Sequence, residues 1–229
     1  THHWLAGRCG VGKLINPERQ AQAREAQRKR MAAIEEAALA ELQTAAYGSV
    51  TLDGIGLKAG VPAGTASLYY GSKEALFLRV LATYVKAWCA ATAARVDASG
   101  LLGARQTAAL LASSFAAFPA LPRLLYLLPF ALEHARAEPG LTVLAVGLKK
   151  PLAELAAKLE EHSPPAAARG GAAVLGELVS FAGALSPRSA PRGGLALAFT
   201  EPALAPFRVD FEAELERLLA ASLAARPTG

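Results

Sequence analysis

The stretch that most constrains this chain is residues 51–76, TLDGIGLKAGVPAGTASLYYGSKEAL. It reads as two short helices on a tight turn, followed at once by the start of a third. Thr51 suits an N-cap, because its hydroxyl can accept from the open amides of a first helical turn. Ile55 and Ala59 are spaced to face one side. Ala59-Gly60-Val61 reads as a turn: Gly60 can take the left-handed conformation that ends a helix, and Val61 returns the chain to the core. Pro62 is pre-set for a first helical turn. Residues 63–69 then make about two turns of small and hydroxyl side chains. Gly71-Ser72-Lys73-Glu74 closes that helix and caps the next. Two helices on a glycine turn, the second with a slim face, form the helix-turn-helix shape that enters a DNA major groove.

These residues resemble the DNA-binding domain of the tetracycline-repressor (TetR) family of transcription regulators. The family pattern is an Ala-Gly-Val turn, then Gly-Thr, an aromatic pair, and Ser-Lys-Glu with an apolar residue. Here Ala59-Gly60-Val61, Gly64-Thr65, Tyr69-Tyr70 and Ser72-Lys73-Glu74-Ala75-Leu76 fall at the matching spacing without a gap. The specific part of the resemblance covers residues 28–85; beyond it, only the all-helical pattern is similar. The resemblance implies that Thr51, Thr65, Tyr69 and Lys73 stand at positions that touch DNA. It also implies a dimer, a near-palindromic double-stranded operator and a small-molecule effector that enters the C-terminal part. Tilting of the connecting helix would then release the operator.

The chain also departs from the family pattern. Ala66 and Ser67 follow Gly64-Thr65 where a large apolar residue and a Tyr are usual, and position 63 is Ala rather than basic or polar. Gly54 and Gly56 lie inside the first motif helix, each costing up to about 1 kcal/mol relative to Ala. Ala63, Gly64, Ser67 and Leu68 make the face of the recognition helix, and none can make a bidentate contact to guanine or adenine. Base reading then falls to Thr65, Ser67, contact with thymine methyls, or DNA shape. Lys73 sits in a first helical turn, against the dipole, so a nearby anion explains it better than helix stability does. Tyr69 offers a hydroxyl to a phosphate, whereas Tyr70 reads as core.

The rest of the chain is helical in pattern. Over half the residues are apolar and aromatics are few, which favours helices packed through small side chains. Asn16-Pro17-Glu18 starts a helix whose stripe is Met31, Ile34, Ala38, Leu42 and Ala45. Ser72 caps a long helix to about residue 96, and further helices are expected over 103–118, 121–135 (kinked at Pro129), 141–161 (interrupted at Gly147 or Pro151), 166–185 and 210–225. Residues 186–206 read as a long Pro/Gly-rich loop. The expected class is all-α: a helix-turn-helix domain over 16–75 and a larger helical ligand-binding and dimerisation domain over 76–229. Residues 1–15 read as a disordered tail or an added segment.

The net charge of +5 permits nucleic-acid binding without demanding it. Arg24, Arg28, Lys29 and Arg30 cluster near the head of the first helix, where they can meet phosphates or simply be solvated. Tyr84, Trp88, Phe115, Phe118, Tyr126 and Phe181 lie on helices that would face one another, as ligand-pocket lining or as core. The Ala/Gly-rich face of 166–185 and the leucine stripe of 210–223 are the dimerisation candidates, unless both are buried within one subunit.

Other chemistry is weakly supported. Cys9 and Cys89 are too few for a disulfide framework or a zinc cage. No apolar run reaches the ~18–20 residues of a membrane span, and a cytoplasmic setting is expected. Gly7 to Lys13 has the spacing of a phosphate-binding loop, but Leu14 replaces the magnesium-holding hydroxyl and no strand precedes it. Glu133-His134 and His162 lack partners at metal or triad spacing. The expectation is a non-enzymatic regulator, a repressor rather than an activator, needing no cofactor, no metal and no membrane. The alternative is a helical small-molecule-binding protein whose DNA head no longer reads sequence.

Overall fold

The structure, a computed structural model, describes residues 17–134 and 139–225. The tail 1–15, with Cys9 and the Gly7 to Lys13 segment, lies outside the described residues, as does the Asn16 cap. Among the described residues there are eleven α-helices and no strand. They are α1 (Pro17–Thr44), α2 (Leu52–Lys58), α3 (Thr65–Tyr70), α4 (Lys73–Ala98), α5 (Ala104–Ser113), α6 (Leu121–His134), α7 (Pro139–His162), α8 (Pro164–Arg169), α9 (Gly171–Ser189), α10 (Gly193–Ala198) and α11 (Phe211–Ala224). Short 3-10 turns stand at Tyr47–Ser49, Ser114–Ala117 and Ala205–Phe207.

Helix ends follow local chemistry. Thr51, Ser72, Ser163 and Asp210 each accept from an amide three residues on, at 3.0–3.3 Å for the hydroxyls and 2.8 Å for Asp210. The α2 end is a Schellman turn: the Val61 amide reaches the Gly56 carbonyl and the Gly60 amide that of Leu57, with Gly60 at φ +66°. Pro62 does not open α3. Gly64 turns left-handed at φ +75°, so α3 begins at Thr65 and Pro62 heads the preceding turn.

Helix α4 is the axis of the fold, packing most extensively on α7 and also on α6. Helix α11 lies on α5 and α9, and α6 and α7 also pack on α9. The apolar core is one cluster that runs from Ile34 in α1 to Leu223 in α11. Leu42, Phe77, Leu81, Leu124 and Leu127 meet where α1, α4 and α6 converge, so the N-terminal helices share a core with the C-terminal ones. An 18-residue window of α4 is long and apolar enough by composition to cross a membrane, and most of it is buried in this core.

Two expectations about helix breaks are corrected. Helix α7 runs on past Gly147 and Pro151, while α6 contains Pro129, as expected of a single helix there. Pro129 lacks the amide that would bond the Leu125 carbonyl, and α9 packs there through Gly183, whose Cβ would lie 3.6 Å from that oxygen. The expected loop 186–206 is partly helical: α9 continues through Pro187, and α10 follows. Burial of Leu185 and Ser186 holds the α9 end, and arginines tie the remainder down. Arg188 donates to the Phe207 carbonyl at 2.9 Å and Arg192 to that of Leu42 at 2.8 Å.

The leucine stripe of α11 is also corrected. Leu215, Leu219 and Leu223 are buried within the subunit against α5 and α9, so they cannot supply area to a partner. What α9 leaves exposed is small: Ala172, Ala173, Gly176, Ser180 and Ala184, with Ala213, Arg217 and Ala221 outward on α11.

Candidate nucleic-acid interface and adjoining cavities

The recognition face is built by close packing of α2 on α3. A Cβ on buried Gly56 would lie 3.5 Å from the Ala66 Cβ, which is itself buried. The small side chain at 66 therefore lets α3 lie against α2, and a methyl at position 56 would only touch it at an ordinary contact distance. Gly54 serves the cap, since a Cβ there would stand 3.1 Å from the Thr51 hydroxyl oxygen. With Ala66 and Tyr70 turned inward, Ala63, Gly64, Ser67 and Leu68 are exposed, Leu68 at 81%. Thr65 and Tyr69 are half-buried at the edges of that face.

Tyr70 belongs to the core, as its place in the sequence suggests. Its hydroxyl donates to Glu35 at 3.0 Å, and burial followed by the Glu35 charge raises its pKa above the ordinary phenol value. Glu35 also accepts from Arg79 at 3.1 Å, so one carboxylate of α1 joins α3 to α4. Lys58 of α2 pairs with Glu41 of α1.

Lys73 has an internal explanation that the helix-dipole argument missed. Its ammonium donates to the carbonyls of Tyr47 and Val50 at 3.2 and 3.3 Å and stands 4.6 Å from the Tyr47 ring centre. The Tyr47 hydroxyl donates to Glu74 at 3.2 Å and its ring packs on Phe77. The first turn of α4 therefore grips the turn that follows α1. Thr51 accepts from Gly54 yet keeps its O–H to give elsewhere. Arg28 is exposed and forks onto Glu25 at 2.9 Å; that bond first, and the charge second, hold the Glu25 carboxyl below its usual pKa.

Most of the aromatics named as pocket candidates fill helix crossings. Trp88 is buried, donates from Nε1 to Ser114 at 2.7 Å and packs on Phe115, which meets Phe211 edge-on. Tyr84 and Phe118 pair edge-on, and with Phe181 they are half-buried against the core. Only Phe115 and Tyr126 border the two larger cavities. One cavity, about 340 Å³, opens between the 3-10 turn at Ser114–Ala117 and the ends of α6, α9 and α11. The other, about 510 Å³, lies between the end of α1 with its following turn, α6, and the α9–α10 link. Both sizes suit a small organic ligand. Both cavities border Arg123 and Arg192, which sequence reasoning passed over. Arg123 offers a signal in hindsight, as a lone charge in the apolar run LPRLLYLLPF.

His162 stands 3.2 Å from the Gly100 carbonyl and 3.6 Å from Asp97, which also takes Lys158 at 2.6 Å; this is a helix-end cluster. Glu133 is exposed, and the side chain of His134 lies outside the described residues. Cys89 is buried, which pushes its thiol up to about 12.

Two family models match. Residues 34–80 match that of the bacterial regulatory proteins of the tetR family, and residues 82–224 that of the tetracyclin repressor-like C-terminal domain. No curated relative matches the chain with significance.

Proposed function

The chain belongs to the tetracycline-repressor family and is a DNA-binding transcriptional regulator; from that premise we propose that it holds a near-palindromic operator as a two-fold dimer, acting as a repressor until a small-molecule effector releases it. The observation that carries the DNA-reading part is the exposed strip Ala63, Gly64, Ser67 and Leu68, clear of any internal partner on a helix that starts at a left-handed glycine. Leu68 meets thymine methyls and Ser67 and Thr65 meet base edges or sugar-phosphate. Thr51, Tyr69 and Arg28 take phosphates and set the register. Lys73 acts from behind, holding the turn at Tyr47–Ser49 in place.

In this reading the dimer forms through the outer faces of α9 and α11, whose small side chains let helices of two subunits approach closely. Its two recognition helices would then sit about one DNA turn apart, ~34–36 Å. Helix α4 is the coupling element. Its first two turns hold the turn at Tyr47–Ser49 through Lys73 and Glu74 and α1 through Arg79, while its later turns lie on α6 and α7. A tilt of α4 driven from the C-terminal helices therefore moves the reading head. The effector must bind the released state more tightly than the DNA-bound one. Such a regulator works in the cytoplasm and performs no catalysis.

The test is fluorescence anisotropy with DNA from upstream of the chain's own gene against scrambled duplex, across a salt series. Specific binding with a steep salt slope is the expected result. Binding without preference, repeated with duplexes selected from a random pool, would overturn sequence reading. It would favour the alternative of a ligand-binding protein with a degenerate head.

A further inference from the structure

The larger cavity carries two guanidiniums and, among the described residues, neither has an ion-pair partner. Arg123 is half-buried on α6. Its Nε is shut off from solvent without a hydrogen-bond partner, and its guanidinium lies 5.3 Å from the Tyr126 ring centre. Burial first, and the Arg192 charge second, hold its pKa below the ordinary guanidinium value. Arg192 uses Nη1 on the Leu42 carbonyl at 2.8 Å. A desolvated donor without an acceptor costs stability, and two like charges at one cavity wall cost more. A fold does not need such an arrangement, and an oxyanion would satisfy both charges. Beside them the Tyr126 and Phe130 rings pair at 5.7 Å and give the same cavity an apolar wall.

We propose that this cavity is the effector site and that it takes a small organic anion. Its carboxylate or phosphate sits between Arg123 and Arg192, and its flat apolar body lies along Tyr126 and Phe130. The inference rests on the reading of the chain as ligand-responsive, and it adds the ligand's class and place. The place supplies a coupling route. The cavity wall includes Thr44 at the end of α1 and Tyr47 and Gly48 of the turn gripped by Lys73. An anion that draws Arg192 toward itself competes with the Leu42 carbonyl at the end of α1. Ligand binding thereby loosens the link that ties α1 to the α9–α10 segment.

The test uses the full chain and three probes of one shape: 1-naphthoate, 1-naphthyl phosphate and neutral 1-naphthamide. Binding is read by calorimetry and thermal melting without DNA, and DNA affinity is read separately. One or both anions should bind and raise Tm with concentration, the stronger one naming the head group, while naphthamide does not. Arg123→Met should weaken anion binding about tenfold or more, because it removes a charge-assisted fork. Without ligand, the same variant should melt no lower than wild type, since it removes an unsatisfied buried donor. Arg192→Lys should bind with intermediate strength. Naphthamide binding as well as naphthoate would overturn the site, as would binding unaffected by Arg123→Met. A large loss of stability in ligand-free Arg123→Met would also overturn it, by making Arg123 structural. Failure of both anions to bind would remove the anion site and leave release by another compound intact. Anion binding with unchanged DNA affinity would keep the anion site and remove its effector role, and with it the reading of anion-driven release.

Discussion

Replacing Lys73 by Met separates two roles that its place in the motif confounds. Methionine keeps most of the unbranched stem and loses the ammonium. The loss removes donors to the Tyr47 and Val50 carbonyls and the contact over the Tyr47 ring. Charged hydrogen bonds are worth about 1.5–3 kcal/mol when buried, and less at this half-buried position where water can reach the carbonyls. The contact with the ring adds about 0.5–1 kcal/mol. A net loss of roughly 1.5–2.5 kcal/mol is expected, after discounting the longer-than-average bonds. With a urea m-value of about 2–3 kcal/mol/M, the midpoint falls by roughly 0.5–1.3 M at unchanged m. The second assay is the salt dependence of DNA binding. A lysine that neutralises a phosphate carries about 0.9 of the log–log slope, so its removal flattens the slope by that amount per subunit. Lys73→Met should weaken binding through the loosened turn and leave the slope unchanged. A variant as stable as wild type with a slope reduced by one contact per subunit would refute the internal role and make Lys73 a phosphate ligand.

Four further substitutions probe the packing. Gly60 has φ +66° and open space around a would-be Cβ, so Gly60→Ala should cost about 1–2 kcal/mol of backbone strain alone. Gly56→Ala should instead gain about 0.5–1 kcal/mol, because its Cβ would meet Ala66 and Val61 at ordinary contact distances of 3.5 and 3.6 Å. Urea midpoints moving in the same direction for this pair would contradict the described turn. Ser114→Ala leaves the buried Trp88 indole N–H without its acceptor and should lower stability by about 1–3 kcal/mol; a melt matching wild type would mean that the indole finds water. Gly171→Ala places a Cβ 2.8 Å from the Ala156 carbonyl carbon and closer still to its oxygen, at the α7–α9 crossing. Because backbone yields poorly there, a loss of about 3 kcal/mol or more is expected in thermal melts, and a loss under about 1 kcal/mol would place the two helices further apart.

What the sequence determined by itself is what neighbouring residues decide among themselves. The caps at Thr51 and Ser72, the left-handed Gly60 and the motif spacing all act within one or two helical turns. Each was legible because the donor and acceptor lie a few residues apart. The all-helical class followed from composition and periodicity for the same reason. Tertiary structure decided the rest. Only the fold brought the Tyr47 and Val50 carbonyls within reach of Lys73. The departure at Ala66 looked like a defect until α3 packed on α2 and buried it. Helix α9 passed Pro187 because burial at its end outweighed the missing amide. The aromatics divided into core and cavity wall by which helices crossed at each ring. Arg123 and Arg192 came to one cavity, and Arg192 reached Leu42 across 150 residues of chain. Local propensity cannot encode these outcomes, because burial and charge pairing depend on groups brought together only after the helices pack.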